Sequence, residues 1–399
     1  MTQTPRGLRR HVAIFGHVNA GKSTLFNQLT GTQMAIVSEH QGTTTDPVSK
    51  SMELNPFGPI VLIDTAGIGD PTPLGKQRLA KTTGVSTRTD LSLLVIDGSE
   101  HQPDQDYQTL TALAASAHLY VISKADLTSD TARKDLQAKY PTAIWLSNQD
   151  PAGISALKSG MIQHLTALED EAEDLSIGRL LPYGSTVLMV IPIDSAAPKG
   201  RLILPQVQLL RECLDHGIKT YVVRDKELTE ALTDLKQIDL VVCDSQVFGA
   251  VNAIIPKELP LISFSMFLAY QKGNLAAQIE ATQHIAQLTD GAQILMLEAC
   301  SHSTTHEDIG TVKIPGLLRK KTGKTLHFHH FRVHDIPEDL SLYDFVIMCG
   351  SCMINRKEVT NRLELMAKAG VPATNYGVVL AYLTDILERC QSVFLEVNP

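Results

Sequence analysis

The stretch GHVNAGKST, residues 16–24, is the feature that most restricts how this chain can fold. It fits the pattern G-x-x-x-x-G-K-S, whose fixed positions are Gly16, Gly21, Lys22 and Ser23. The apolar run His11–Phe15 before it predicts a β-strand, and the residues after it predict a helix. In such a loop backbone N–H groups surround phosphates, the lysine contacts phosphate oxygens and the serine ligates Mg²⁺. The start of the chain is therefore predicted to be a phosphate-binding parallel α/β sheet.

The remainder of the first part of the chain alternates strand-like and helix-like segments, as a parallel α/β sheet does. Further strands are predicted at Ile60–Asp64, Leu91–Asp97, Leu119–Ser123 and Ala143–Leu146. The segment Met52–Asp64 predicts a hairpin with its turn at Asn55–Pro59, so one edge strand should run antiparallel. The acidic segment Glu169–Gly184 lacks apolar periodicity and predicts a linker.

Two more α/β series follow the predicted linker. The first has strands Thr186–Asp194, Thr220–Arg224 and Leu240–Cys243, with helices Leu204–His216 and Lys226–Leu235. The second has helices Met266–Leu288, Arg356–Ala369 and Val378–Arg389, strands Gln293–Ala299 and Tyr343–Met348, and the strand-like His327–His334. The predicted fold class is α/β, with three domains at residues 1–172, 176–262 and 263–399.

Composition excludes several classes of protein. The net charge of −8 argues against a nucleic-acid binder with a broad basic face, and the basic patch Arg319–Lys324 predicts a solvated helix end or loop. No apolar run reaches the ~18–20 residues of a membrane span, so a cytoplasmic protein is expected. Its six cysteines are then expected to be thiols or metal ligands, with Cys213, Cys243 and Cys390 in the core.

Three further motifs lie where predicted strands end. DTAG, Asp64–Gly67, lets Asp64 hold Mg²⁺ through water and lets the N–H of Gly67 sense a γ-phosphate. GTTTD, Gly42–Asp46, offers a threonine that closes on Mg²⁺ when GTP is bound. SKAD, Ser123–Asp126, offers a carboxylate that accepts two hydrogen bonds from guanine. Because the carboxyl ends of parallel strands meet at one sheet edge, the motifs predict a guanine-nucleotide site there.

Together and in this order the motifs resemble the small GTPases of the TrmE/Era type. The resemblance implies that Lys22, Thr44 and Gly67 act in GTP hydrolysis. It also implies that Thr44 and Ser23 ligate Mg²⁺ and that Asn19 helps to bind K⁺. The nucleotide, GTP or GDP, is expected to contact Gly16, Asn19, Ala20, Gly21, Lys22, Ser23, Thr24, Asp64, Lys124, Asp126 and Ser147.

Two positions depart from the pattern of these GTPases. Ser123 stands where the guanine motif Asn-Lys-x-Asp has asparagine, which predicts a weaker tether between the base and the phosphate loop. Ile68 follows Gly67, where Ras-like enzymes have a glutamine that positions water. Hydrolysis is therefore expected to be slow unless K⁺, a partner or dimerisation completes the site.

A Cys-x-x-Cys turn follows the strand-like run at Val346. Its cysteines are Cys349 and Cys352, and 46 residues separate Cys349 from the Cys300-x-His302 that ends another predicted strand. Two strands that end in thiols at one sheet edge would bring three sulfurs together. The residues leave four interpretations open: structural zinc, a redox dithiol, a 4Fe–4S cluster on three cysteines, and buried cysteines without a ligand.

The whole chain resembles the HydF family, the GTPases that mature iron–iron hydrogenase. The resemblance rests on the TrmE-like GTPase, the middle segment APKGRLILPQVQ (Ala197–Gln208) and the cysteine pattern. It implies that a 4Fe–4S cluster is bound by Cys300, Cys349 and Cys352. The fourth cluster site is expected to be exchangeable, with His302 and Asp194 as candidate ligands.

The HydF resemblance also implies a role and partners. The role is that of a GTP-hydrolysing scaffold and carrier, which passes a di-iron precursor to apo iron–iron hydrogenase. Expected partners are a second copy of the chain, the radical-SAM maturation enzymes and the apo-hydrogenase, without nucleic acid or membrane. By this resemblance the GTPase domain is expected at residues 1–172, the dimerisation domain at 176–262 and the cluster domain at 263–399. Two other classes stay open: a tRNA-modification or ribosome-associated GTPase with structural zinc, and an iron–sulfur carrier with an inactive GTPase.

Overall fold

The computed structural model of the chain describes residues 7, 9–31, 47–69, 73–100, 104–115, 117–147, 151–173, 175–193, 202–299, 309–332 and 336–395. Contacts divide the chain into two units, Met1–Glu171 and Ala172–Pro399. None of the described helices is long and apolar enough to cross a membrane.

The first unit is built on one six-stranded sheet. Its strands are β1 (Arg10–Gly16), β2 (Val48–Leu54), β3 (Gly58–Asp64), β4 (Leu91–Asp97), β5 (Ala117–Ser123) and β6 (Ile144–Trp145). The strand order is β2-β3-β1-β4-β5-β6, and only β2 is antiparallel to its neighbour. The predicted hairpin and its antiparallel edge strand are therefore confirmed.

Helices pack on both faces of this sheet. They are α1 (Lys22–Thr30), α2 (Pro73–Ser86), α3 (Asp104–Leu113), α4 (Asp130–Lys139) and α5 (Pro151–Glu173). Successive residues of a strand point to opposite faces, so Val12 and Ile14 enter one apolar cluster while Ala13 and Phe15 enter another. Parallel strands covered on both faces are apolar throughout, and all seven residues of β4 are buried.

The second unit holds two four-stranded parallel sheets. The first has β7 (Thr186–Val190), β8 (Lys219–Val223), β9 (Leu240–Cys243) and β10 (Leu261–Ser263) in the order β10-β9-β7-β8. Its helices are α6 (Ile177–Leu180), α7 (Leu204–Asp215), α8 (Leu228–Asp234) and α9 (Phe248–Ile254). Short 3₁₀ turns at Asp225–Glu227 and Ser245–Val247 lead into α8 and α9.

The second sheet of this unit carries the cysteine turn. Its strands are β11 (Gln293–Glu298), β12 (His327–Arg332), β13 (Phe345–Met348) and β14 (Ala373–Asn375), in the order β12-β11-β13-β14. Its helices are α10 (Phe264–Lys272), α11 (Leu275–Ala281), α12 (Ile314–Thr322), α13 (Arg356–Lys368), α14 (Tyr376–Leu383) and α15 (Leu387–Leu395). One apolar cluster includes residues of both sheets, such as Leu188 and Ile347. It also includes residues of their helices, such as Phe248 and Val379.

The predicted α/β fold class is confirmed, and the structure corrects three segments. The predicted linker Glu169–Gly184 is helical at its start, where α5 continues to Glu173, and again in α6. The single helix predicted over Met266–Leu288 is broken after α10, because the Asn274 side chain caps the next helix by accepting a hydrogen bond from the Ala277 N–H. The predicted last helix, Val378–Arg389, is split into α14 and α15, and Asp385 between them has a left-handed φ of 57°. The division of the second unit at residue 262 stays a prediction.

Candidate functional site

The phosphate loop joins the end of β1 to the start of α1. Two of its residues have left-handed backbones, with φ of 64° at Asn19 and 88° at Gly21. Such a conformation curls the chain so that successive N–H groups point to one side, and asparagine and glycine tolerate it best. Helix α1 begins directly afterwards at Lys22, so its positive N-terminal end lies at the loop as well. This arrangement suits an anion with several oxygens, such as a polyphosphate.

Lys22 is nearly enclosed by the loop. Its side chain is 7% exposed, and Nζ donates a hydrogen bond of 2.5 Å to the carbonyl oxygen of His17. Burial lowers the pKa of the Lys22 ammonium to about 8, and the nearby Asp64 carboxylate opposes that shift. Phosphate oxygens bound in the loop would add negative charge next to this ammonium and would stabilise its charged form.

The serine of the loop and the aspartate of DTAG lie together. The Ser23 hydroxyl donates a hydrogen bond of 2.7 Å to Oδ2 of Asp64, which is 1% exposed. Burial raises the pKa of the Asp64 carboxyl, while Ser23 and Lys22 oppose the rise. Oδ1 of Asp64 is buried and has no hydrogen-bond partner among the described residues. An orphaned carboxylate oxygen beside a serine hydroxyl fits the donor set of Mg²⁺ and its bound water.

The loop after β3 is joined to the phosphate loop by its backbone. The Val18 N–H donates to the Ile68 oxygen and the Ile68 N–H donates to the Gly16 oxygen, each at 3.1 Å. Gly67 lies so close that an added Cβ would come within 2.7 Å of Val18 Cα. The side chain of Ile68 is buried in the cluster around Phe15. It therefore cannot position a water molecule as a glutamine does, which agrees with the expected slow hydrolysis.

Ser123 contacts the phosphate loop, and the tether that it provides stays predicted to be weaker than that of an asparagine. Its hydroxyl lies 2.8 Å from the carbonyl oxygen of Ala20 and 3.1 Å from that of Ile96. A hydroxyl has one proton to donate, and the shorter distance favours the bond to Ala20. Serine thus replaces the missing asparagine with a direct bond between the SKAD segment and the phosphate loop.

The remainder of the predicted base-binding edge is also assembled. Nζ of Lys124 forms a 2.5 Å ion pair with Asp97, and the Ala125 N–H bonds the Leu146 oxygen at 2.9 Å. Asp126 is exposed, as a residue that reads a ligand must be. A pocket at this edge is lined by Gly21, Thr24, Leu25, Gln28, Val95, Val121, Ser123, Lys124 and Leu146. Of the predicted nucleotide residues, Gly21, Thr24 and Lys124 thus line one pocket. The roles of Asp126 and Ser147 stay predictions, and Thr44 lies outside the described residues.

The Cys-x-x-Cys turn follows β13, beside the end of β11. Cys349 and Cys352 are each 9% exposed. The sulfur of Cys349 accepts hydrogen bonds from the N–H groups of Ala299 at 3.1 Å and Ser351 at 3.4 Å. Ala299, which directly follows β11, therefore lies next to the Cys-x-x-Cys turn. Cys300 itself, His302 and Asp194 lie outside the described residues.

The surroundings of the turn disfavour the thiolate form of Cys352. Burial raises the pKa of the Cys352 thiol to about 11; Cys349 adds to the rise and the Lys272 ammonium opposes it. Metal binding would have to displace the Cys352 proton, since a thiolate is the ligand. Among the described residues no three His, Cys, Asp or Glu side chains are grouped to hold a metal ion.

Comparison with protein families decides the affiliation of the second unit. Residues 176–273 match the hydrogen maturase F dimerization domain, and residues 276–393 match the hydrogen maturase F tetramerization domain. These two models together cover more than half of the chain. The chain belongs to the hydrogen maturase F family. It carries that family's dimerization and tetramerization domains, so an oligomeric protein is indicated.

Residues 11–124 match a third model, the 50S ribosome-binding GTPase. The first unit of the chain is therefore a GTPase domain, which supports GTP, GDP and Mg²⁺ as ligands. Curated relatives agree with that assignment. The tRNA modification GTPase MnmE of Nitrosomonas europaea is 33% identical over 154 residues, which are 38% of this chain and 34% of that protein.

A second MnmE, from Lacticaseibacillus paracasei, is 38% identical over 256 residues, or 64% of this chain and 50% of that protein. The chain thus spans about a third to a half of the length of the curated relatives it matches. Two solved structures are similar: Era bound to MgGDPNP and part of 16S ribosomal RNA, and the G domain of FeoB from T. maritima. The Era match has 20% identity, a TM-score of 0.35 and coverage of 54% of this chain and 91% of that one. The FeoB match has 25% identity, a TM-score of 0.31 and coverage of 39% and 99%.

The donor set at the cysteine turn fits an iron–sulfur cluster. Two buried thiols lie at a strand end, and N–H groups already point at the sulfur of Cys349, as they do at cluster-bound thiolates. The same two thiols also fit zinc.

Proposed function

We propose that the chain is a GTP-hydrolysing carrier that delivers a di-iron precursor to apo iron–iron hydrogenase. In this proposal a 4Fe–4S cluster is held by Cys300, Cys349 and Cys352, with an exchangeable fourth site for which His302 and Asp194 are candidates. The observation that carries the proposal is the hydrogen bond from Ala299 N–H to the sulfur of Cys349. It brings the strand end before Cys300 next to the Cys-x-x-Cys turn, inside a chain of the hydrogen maturase F family.

Each residue of the nucleotide site has a proposed role. Backbone N–H groups of the Gly16–Ser23 loop bind the phosphates, and Lys22 neutralises charge on the transferred phosphoryl group. Ser23 and Thr44 ligate Mg²⁺, and Asp64 holds one of its waters. Gly67 donates its N–H to the γ-phosphate, and Asn19 binds K⁺ beside the phosphates. The K⁺ ion would supply positive charge there, whereas the Ile68 side chain has no polar group to contribute.

The cysteine turn has a proposed role in holding cargo. Cys349 and Cys352 bind as thiolates after losing their protons, and the N–H groups of Ala299 and Ser351 then donate to a charged sulfur. The cluster would supply an iron with an exchangeable ligand, at which cargo can be held and later released. Expected partners are a second copy of the chain, the radical-SAM maturation enzymes and the apo-hydrogenase.

Metal analysis with EPR spectroscopy on protein purified without oxygen tests the proposal. About four irons per chain are expected for one 4Fe–4S cluster, with an EPR signal after reduction that is lost in Cys349→Ala. The matched control is Cys213→Ala, which removes a buried thiol of α7 away from the turn and should keep the signal. One tightly bound zinc and no iron, even after reconstitution, would contradict the carrier proposal and favour a tRNA-modification or ribosome-associated GTPase.

Measurement of GTP turnover in K⁺ and in Na⁺ tests the GTPase activity in this proposal. We expect slow hydrolysis that K⁺ stimulates and that Lys22→Ala abolishes. Absence of hydrolysis with either cation would favour an iron–sulfur carrier whose GTPase is inactive. Substitution of Asn19 by alanine should remove the difference between the cations, while Asn27→Ala, in the body of α1, should leave it.

A further inference from the structure

Lys272 is a buried cation that the GTPase site does not use. It is the last residue of α10 and is 3% exposed. Its ammonium donates hydrogen bonds to the carbonyl oxygens of Ser351 at 3.2 Å and Ile354 at 3.0 Å. Burying an ammonium costs several kcal/mol unless it is paired, so this placement needs an explanation. Among the described residues no carboxylate forms an ion pair with it; the ionisable groups that act on it are Cys349 and Cys352.

The two carbonyls belong to the turn that carries the cysteines. Ser351 holds a left-handed backbone with φ of 53°, a conformation that is unfavourable for a residue other than glycine and needs support from its surroundings. The Ser351 hydroxyl contributes by donating to the Cys349 oxygen at 3.2 Å. Lys272 contributes from outside the turn, by bonding one carbonyl on each side of Cys352.

A second side chain supports the same turn. Gln208 of α7 is 4% exposed, and its Nε2 donates to the carbonyl oxygen of Cys352 at 3.3 Å. Three carbonyls in the stretch 351–354 therefore receive donors from Gln208 and Lys272. Both donors lie within the residues that match the dimerization domain, whereas the turn lies within the match to the tetramerization domain.

We propose that Lys272 is a positioning residue for the cluster, which fixes the Cys349–Ile354 turn and places one positive charge beside the thiolate ligands. The part that concerns the cluster rests on the proposed function. A 4Fe–4S cluster with thiolate ligands is anionic, and a nearby cation stabilises its reduced state more than its oxidised state because the reduced state carries one more negative charge. Removal of the charge should therefore lower the reduction potential. Gln208 assists by holding the turn without adding charge.

The charge is tested by potentiometric titration of the reconstituted full-length protein at pH 7, followed by EPR. Lys272→Met and Lys272→Gln should each have a more negative midpoint potential than the wild type, and Lys272→Arg should restore it. Lys272→Gln keeps a donor without the charge and covers the case in which the methionine variant does not fold. The control is Lys321→Met, which removes a lysine paired with Asp385 elsewhere in this unit and should leave the potential unchanged. Equal potentials in wild type and Lys272→Gln would overturn the electrostatic role.

The support that Lys272 and Gln208 give to the turn is tested in protein without metal, so that the result does not depend on the cluster. Amide hydrogen exchange of the segment 349–354, read by peptide mass spectrometry, does not depend on thiol ionisation and should be at least about tenfold faster in Lys272→Met, because a hydrogen bond to a charged group is lost. Gln208→Leu should accelerate the exchange as well, and Lys321→Met should not. Unchanged exchange in both variants would overturn the positioning role. If the wild type bound no iron while these exchange rates rose, the proposed function would fail and the role of Lys272 in holding the turn would stand.

Discussion

Replacement of Ser123 by alanine removes the hydroxyl that lies 2.8 Å from the Ala20 oxygen and 3.1 Å from the Ile96 oxygen. Little else changes at the site, because the Ser123 Cβ, which lies 3.6 Å from the position a Cβ on Gly21 would take, is retained. The substitution therefore tests one bond between the SKAD segment and the phosphate loop. If this bond replaces the tether that asparagine provides in related GTPases, its loss should weaken nucleotide binding.

The magnitude follows from the kind of bond. A neutral hydrogen bond contributes about 0.5–1.5 kcal/mol net, which corresponds to about two- to twelvefold in an equilibrium constant. The bond joins two segments of the folded chain, so part of this amount should appear as a loss of unfolding free energy. The remainder should appear as weaker GDP binding, since nucleotide must then order a looser loop. The two losses together are expected to reach about 1 kcal/mol.

Calorimetric titration with GDP and urea unfolding measure the two parts. The matched control is Ser92→Ala, which removes a buried serine hydroxyl of the same sheet that accepts a bond from the Ala115 N–H at 2.8 Å. That variant should lose unfolding free energy while it keeps the affinity for GDP, because Ser92 does not contact the loop. Ser123→Asn should bind GDP at least as tightly as the wild type. If Ser123→Ala changed neither affinity nor stability, the reasoning that serine replaces the tether would be refuted.

Three further predictions concern other parts of the chain. Gly67→Ala should reduce both GDP affinity and GTP turnover, since the added Cβ would come within 2.7 Å of Val18 in the phosphate loop. Arg389→Met should lower the unfolding free energy, measured in urea, by about 2–3 kcal/mol, because Arg389 donates to Asn252 at 2.7 Å and to the Leu259 oxygen at 2.6 Å. The control Arg211→Met breaks an exposed ion pair with Asp215 and should lower the unfolding free energy by less than about 0.5 kcal/mol. Burial raises the pKa of the Glu212 carboxyl above its ordinary 4.5. The folded state therefore binds the carboxyl proton more tightly than the unfolded state does. As a consequence, the free energy of unfolding falls as pH rises from 4.5 through the folded pKa. Urea midpoints of Glu212→Gln should therefore exceed those of the wild type at pH 7, and the two proteins should converge as pH falls toward 4.5.

The strands at the nucleotide site were predictable because local patterns mark them. Apolar runs that end in or next to glycine or aspartate located β1, β3 and β4 within two residues of their observed bounds. The three-residue strands β10 and β14 escaped prediction, since three residues are too few to establish a period of two. The break between α10 and α11 was also missed, although Gly273 and Asn274 together are a recognisable stop and start signal.

The candidate sites were predictable where a motif carries their chemistry and not where a distant contact does. The loop around Lys22 and the turn around Cys349 follow from spacing alone. Nothing in the sequence indicates Lys272 or Gln208, because their bonds to the turn join residues 79 to 144 positions apart. Ser123 gives a related case: its replacement of asparagine is visible in the sequence, whereas its 2.8 Å bond to Ala20 depends on how closely two segments approach.

A common arrangement links the two candidate sites. In each, a loop after a parallel strand contains a non-glycine residue in a left-handed conformation, Asn19 in one and Ser351 in the other. Such residues cost about 1–3 kcal/mol and persist only when neighbours hold them. The neighbours here are donors that bond carbonyl oxygens of the loop, the half-buried Ser123 in the GTPase unit and the buried Lys272 at the cysteine turn. Because backbone N–H groups in such loops face the ligand, a donor that holds the carbonyls fixes the binding surface without occupying it. Loss of either donor should therefore affect ligand binding more than the fold.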